Sequence, residues 1–239
     1  MGILYKALVV TPVKNAIENT LATIKTIAAS DLPILHIVYN DYSDAITKQT
    51  LIDNLKNYSY ELIHLEDITS TPSPNYKIVL QDAQKKALKM GLDLIIVESD
   101  VEVKNNTIKN LISFKNSNTK TGMVGAVTVD YKDKVNFPYL KFKDEKKDII
   151  KTNRSLSFCC TLISNNYLQA YDFMQLDESK DWFDTVISHK STEIGFENYV
   201  LMKETVLHKP HGSRPWKQLK YTNPLKYYWL KFTKGRDKI

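Results

Sequence analysis

The sequence predicts an α/β fold, a mostly parallel central sheet with helices on both faces. Two observations predict the fold, and a third places its site. Short apolar runs alternate with amphipathic segments from Leu4 to Val129. The connections between them are short, the pattern of repeated βα units. Polar residues close several of the apolar runs, and open parallel sheets bind their ligands at those carboxyl ends.

Leu4–Val10 is the first apolar run and reads as a buried strand. Asn15-Ala-Ile-Glu18 has the form of a capping box, with Ile17, Leu21, Ile24 and Ala28 following at helical spacing. Ile34–Tyr39 is the second strand, Ala45–Leu55 a helix and Tyr60–Leu65 the third strand. Ile78–Met90 is helical and stops at Gly91. Leu92–Val97 is a strand, a helix starts near Thr107, and Met123–Val129 is the next strand. Beyond Asp130 the pattern loosens. Residues 141–151, KFKDEKKDIIK, read as a solvated loop, Ser155–Ile163 as a buried strand and Asn165–Met174 as a helix. Without repeats, low-complexity tracts or a clear linker, the expectation is one domain, residues 1–209, with a C-terminal segment, 210–239.

A chain of 239 residues, 43% hydrophobic, can bury one sizeable core. No run approaches the roughly 18 apolar residues that span a bilayer. The start, MGILYKALVVTP, has no basic leader and reads as a strand. Cys159 and Cys160 are adjacent. Strand neighbours face opposite ways, so neither a disulfide nor a metal cluster is expected of the pair. These features point to a soluble, cytoplasmic protein. The net charge of +6 is uneven: residues 210–239 carry +7 and the rest −1. The basic pI belongs to the tail, so no nucleic-acid partner is inferred.

Three runs end in polar residues: Thr11-Pro-Val-Lys-Asn15, Asn40-Asp-Tyr-Ser-Asp44 and Glu98-Ser-Asp100. None of the seven glycines forms a GxGxxG or P-loop pattern, which argues against a dinucleotide enzyme or a phosphate-cradling ATPase. A diphosphate bound without such a loop needs a metal. Glu98 and Asp100 offer the carboxylate oxygens that hard divalent ions prefer. On spacing alone, a solvated strand end describes them equally well.

Taken together, these segments resemble the inverting family-2 glycosyltransferases of the GT-A fold. Pro12-Val13-Lys14-Asn15 is similar to the family's Pro-x-Tyr-Asn, and Asn40-Asp41-Tyr42-Ser43 to its Asp-Asp-Gly-Ser. Val97–Glu102 resembles Leu-Asp-x-Asp. Ser155–Ile163, Phe173–Glu178 and the run from Gly195-Phe196 to Val206-Leu207-His208 resemble the later motifs, in order, over residues 4 to 215. The resemblance implies a Rossmann-like sheet, a nucleotide-diphosphate sugar donor, and Mn²⁺ or Mg²⁺. By the same resemblance Asp100 is a metal ligand, joined by His208. Asp41 and Asn40 read base and ribose, Pro12, Val13 and Asn15 line the donor, and Glu98 and Ser99 meet the ribose. Lys14 stands in place of the usual Tyr, Asn40 in place of an acid, Glu98 in place of Asp and Phe183 in place of a Glu. Glu102 matches no functional position and reads as solvated.

Counting back from Gly195 by the family's spacing makes Asp184 the implied catalytic base, with Asp181 and Glu178 as rivals. As residues, they read equally as helix-start acids. Arg214 and Lys217, beyond His208, would close over the diphosphate. In the tail, Leu225, Tyr228, Trp229 and Phe232 share a helical face among lysines. That pattern suits an interfacial helix at the inner face of a membrane, facing a saccharide or lipid-linked acceptor, or alternatively packing onto the domain or into a homodimer. The expectation is a metal-dependent inverting glycosyltransferase of polysaccharide or glycolipid assembly. The alternatives are a non-catalytic carbohydrate- or partner-binding module, and a nucleotidyltransferase.

Overall fold

The structure is a computed structural model, in which residues 4–177, 182–209, 219 and 223–233 are described. Its strands are β1 (Ala7–Val13), β2 (Leu35–Asn40), β3 (Glu61–His64), β4 (Asp93–Val97), β5 (Val101–Glu102), β6 (Thr121–Val129), β7 (Ile149–Lys151), β8 (Cys160–Ile163) and β9 (Glu197–His208). The helices are α1 (Ile17–Ala28), α2 (Ala45–Tyr58), α3 (Tyr76–Met90), α4 (Thr107–Ser117), α5 (Asn165–Ala170), α6 (Phe183–Glu193) and α7 (Pro224–Thr233). The sheet runs β3-β2-β1-β4-β8-β6-β9-β5, with β7 also on β9. The pairings make β1–β4, β6 and β9 co-directional, while β5, β7 and β8 oppose them. The predicted mostly parallel sheet is therefore present.

Both faces are covered, as the continuous apolar runs require. Successive side chains of a strand point to opposite faces. Along β1, Leu8 and Val10 join one cluster and Ala7 and Val9 another. The first cluster takes Val79, Leu80 and Ala83 of α3, Tyr167 of α5 and Ile187 of α6. The second takes Ile27 of α1 and Ile108 and Leu111 of α4. A third, smaller cluster closes α1 and α2 over Val38 through Ile24 and Leu51. Gly122 marks the tightest seam: a Cβ there would lie 2.1 Å from Ser191 Oγ and 2.7 Å from Phe196 Cβ.

Several local expectations are corrected. The first strand starts later and runs through Pro12 to Val13. Asn15 is no capping box: Ala16 holds the N-cap position in a left-handed conformation without a side-chain cap bond. Asn15 turns instead to the next strand's loop, its Oδ1 accepting from Asp44 N at 2.9 Å and its N–H donating to Ser43 Oγ at 2.9 Å. The strand expected over 155–163 is only Cys160–Ile163, and the following helix ends at Ala170, with a 3-10 turn at Phe173–Gln175. Segment 141–151 is not all loop. It begins in a 3-10 turn that buries Tyr139 and Phe142, exposes 143–149, and ends in β7. The boundary expected after residue 209 adjoins residues 210–218, which lie outside the described ones.

Candidate active site

The carboxyl ends of β1, β2, β4 and β9 meet at one edge of the sheet. Because β8 is reversed, its beginning reaches the same edge and brings residues 157–159 with it. The backbone there is locked: Glu98 N–H donates to Cys159 O at 3.1 Å and Val101 N–H to Glu98 O at 3.1 Å.

Asp100 and His208 are brought together by β5. Val101 pairs with His208 and Glu102 with Leu207, and Lys209 N–H donates to Asp100 O at 2.9 Å. Both side chains are buried, with His208 Nε2 3.5 Å from Asp100 Oδ2. His208 Nδ1 lies 2.7 Å from the Phe137 carbonyl oxygen. A carbonyl only accepts, so Nδ1 carries the proton and Nε2 is the atom turned to Asp100. Burial alone lowers the His208 pKa. The hydrogen bond and charge of Asp100, the charge of Glu98 and the Phe137 carbonyl outweigh it and hold His208 above its ordinary value. Asn136 Nδ2 donates to the His208 carbonyl at 3.1 Å, so the 136–137 loop fixes the residue from both sides.

Glu98 sits beside this pair. Its Oε2 accepts from the Cys159 thiol at 3.2 Å. One ligand atom each from Glu98, Cys159 and His208 lie within 4.8 Å of one another. Burial, then the charge of Asp100, raise the Glu98 pKa, the former because a carboxylate loses its water. Burial and the Glu98 charge push the Cys159 thiol well up, so it remains a donor. The cysteines are free, as expected, but Cys159 belongs to the acid–imidazole cluster, which the adjacency argument missed. Glu102 is also corrected. Instead of being merely solvated it pairs with Lys209 across the β5–β9 seam.

The shifts at Glu98 and His208 have one sign. A group raised in the folded state stabilises it below its ordinary pKa and loses that contribution as pH rises through the folded value. The loss begins above 4.5 for Glu98 and above 6.5 for His208. In chelator-treated buffer the thermal midpoint is therefore expected to fall as pH rises from about 5 to about 8. Glu98→Gln, fixed in the neutral form, should flatten the lower part of that slope. An unchanged slope would show that Glu98 is not the titrating group.

Asp184 opens α6, its Oδ1 accepting from Thr185 N at 2.7 Å. Its charge reaches the cluster, contributing to the raised pKa values of Tyr76 and Glu98. Phe183, at the position of the missing Glu, is buried in the core. Tyr76, at the start of α3, stacks on Phe158 at 6.2 Å and 12°, and its buried hydroxyl has no hydrogen-bond partner among the described residues. Its charge neighbours are Glu98, Asp184, Cys159 and Asp100, so it faces the site; nothing in the sequence pattern singled it out.

Asp41 lies at the end of β2, its N–H donating to Val13 O at 2.8 Å. It accepts from Ser73 Oγ at 2.7 Å, Asn75 N at 2.9 Å and Asn75 Nδ2 at 2.8 Å. A carboxylate has about four acceptor positions. Asp41 therefore spends most of its capacity holding the 73–75 loop, and Ser73 and Asn75 are residues that sequence reasoning overlooked. Asn40 is buried, its Nδ2 3.0 Å from His64 Nδ1. Lys14 Nζ donates to the Tyr42 carbonyl. Pro12, Val13 and Asn15 line the same edge of the sheet as Asp41, and Ser99 lies in the turn between Glu98 and Asp100. Asp181, Glu178, Arg214 and Lys217 lie outside the described residues.

The fold is similar to those of several solved structures, a mannosyltransferase among them. The chain superposes on TarS of S. aureus (residues 1–349) with a TM-score of 0.67 at 17% identity, covering 85% of this chain and 60% of that one. The mannosyltransferase PcManGT from Pyrobaculum calidifontis, in complex with GDP-Man and Mn²⁺, gives 0.65 at 14% identity, covering 98% and 65%. GalNAc-T7 with UDP, GalNAc and Mn²⁺ gives 0.61 at 14% identity, covering 90% and 47%. The chain thus spans about half to two thirds of these structures' lengths. No protein-family profile and no curated protein sequence matches it. Among the described residues no helix is long and apolar enough to cross a membrane.

Proposed function

We propose that the protein is a cytoplasmic, metal-dependent, inverting glycosyltransferase of the family-2 type. It would move a hexosyl-type sugar from a nucleotide-diphosphate donor to a hydroxyl of a saccharide or lipid-linked acceptor, in bacterial polysaccharide or glycolipid assembly. The observation that carries this reading is the buried Asp100–His208 pair, with Glu98 beside it, at the carboxyl edge of a glycosyltransferase fold. Solved structures of that fold hold UDP, or GDP-Man with Mn²⁺.

The donor set fits a hard divalent ion. Asp100 offers oxygen, and His208, anchored through Nδ1, offers Nε2. A bound Mn²⁺ or Mg²⁺ would offset the charge that develops on the leaving diphosphate. The remaining work falls to the chain itself. Asp41 and Asn40, with Pro12, Val13 and Asn15, form the nucleoside side of the cleft, and Glu98 and Ser99 meet the ribose. Asp184 takes the proton of the acceptor hydroxyl while its oxygen attacks the anomeric carbon. The new C–O bond forms on the face opposite the departing phosphate, whose oxygen keeps the electron pair of the broken bond. The positive charges of Arg214 and Lys217 would offset those of the diphosphate.

Donor turnover tests the reading. The protein is expected to release nucleoside diphosphate from one nucleotide sugar, only with Mn²⁺ or Mg²⁺, and to be stabilised thermally by that donor only with the ion. Release of pyrophosphate would make it a nucleotidyltransferase. Release of neither, across a panel of donors and acceptors, would make it a binding module.

A further inference from the structure

Helix α7 turns its apolar side to solvent. At about 100° per residue, Leu225, Tyr228, Trp229 and Phe232 form one stripe along it, and they are 86%, 58%, 68% and 91% exposed. On the opposite side Tyr227 is 3% exposed and Leu230 is half-buried. A helix at a protein surface ordinarily does the reverse, burying its broad apolar stripe and exposing the polar one. Single exposed apolar residues are commonplace, but four on one face of a ten-residue helix are an interaction surface.

Charge decides what the surface meets. Residues 210–239 carry +7, against −1 for the rest of the chain. Lys226, beside the stripe, is exposed. A second copy of the chain would set this positive segment against its like and be repelled. An anionic bilayer offers both complements: acidic headgroups for the lysines and arginines, and an acyl boundary for the aromatic and leucyl side chains. Tyr and Trp, amphipathic at their tips, suit that depth.

We propose that α7 is an interfacial helix that lies on an anionic membrane, with Leu225, Tyr228, Trp229 and Phe232 immersed at the headgroup–acyl boundary. The inference rests on α7 and the tail charge alone and stands or falls apart from the donor chemistry.

The test is co-sedimentation of the full chain with vesicles of phosphatidylcholine, with and without about one third phosphatidylglycerol. Binding is expected to the anionic vesicles, to weaken as salt is raised, and to be slight on phosphatidylcholine alone. Leu225→Ser combined with Phe232→Ser should lower vesicle binding by about tenfold or more while leaving the melting curve unchanged. Wild-type protein that stays in the supernatant with anionic vesicles overturns the proposal, as does a double variant that binds equally well. A wild-type dimer that the double variant converts to monomer, without vesicle binding by either, overturns it in favour of a seam between copies.

Discussion

Asp100→Asn is expected to lower metal-dependent release of nucleoside diphosphate by about a hundred- to a thousand-fold, the scale of losing a principal electrostatic contact to a developing anion. The substitution keeps the shape of the side chain and removes its charge. It leaves His208 Nε2 facing a neutral amide, in a site where both residues are buried. Weakened ion binding should appear separately, as loss of the Mn²⁺-dependent thermal shift. His208→Ala keeps the carboxylate, so its defect should be partly recovered at high Mn²⁺. Activity and metal dependence unchanged in Asp100→Asn would remove the central assignment.

Asp184→Asn is the second large effect. A positioned general base contributes about a hundred- to ten-thousand-fold, and the loss should fall on kcat, with donor binding and its metal-dependent thermal shift retained. The acidic limb of the kcat/KM profile should vanish with it, because that limb reports the base in the free enzyme. Asp184 is well held for the role by the Thr185 N–H and by the first turn of α6. If Asp184→Asn keeps the wild-type profile and Asp181→Asn loses it, the base is Asp181.

The elements most legible in the sequence were those whose burial is two-sided. Leu94–Val97 and Val124–Val127 are apolar without interruption because helices cover both faces of the sheet there, and their strands lie where the runs predicted. Legibility failed where partners are remote in sequence. Asn15 looked like a helix cap because Glu18 follows at the right spacing, yet its amide serves a loop beside β2. Adjacency alone argued against a metal cluster at Cys159, because only the reversal of β8 carries it to Glu98. Tyr76, Ser73 and Asn75 carry no motif at all; their roles arise from the way α3 begins beside Asp41. Glu98 follows the end of β4 and His208 closes β9, and the turn before β5 sets Asp100 beside His208, so strand ends that converge bring these three residues together.

The ladder of two residue pairs between β5 and β9 has a consequence for how the protein matures. It is the bond that sets His208 beside Asp100, and it joins the middle of the chain to the last of the described strands. Closing so long a loop comes late in folding, since its entropy must be met before its contacts form. The hydrogen-bonded cluster around Asp41, made from residues 13 to 75, has no such dependence. A ribosome-bound chain that has emitted α4 but not β9 would already possess that cluster and lack the Asp100–His208 pair. If the Asp100–His208 pair holds an ion as proposed, the first appearance of Mn²⁺ binding during refolding would date the docking of β9.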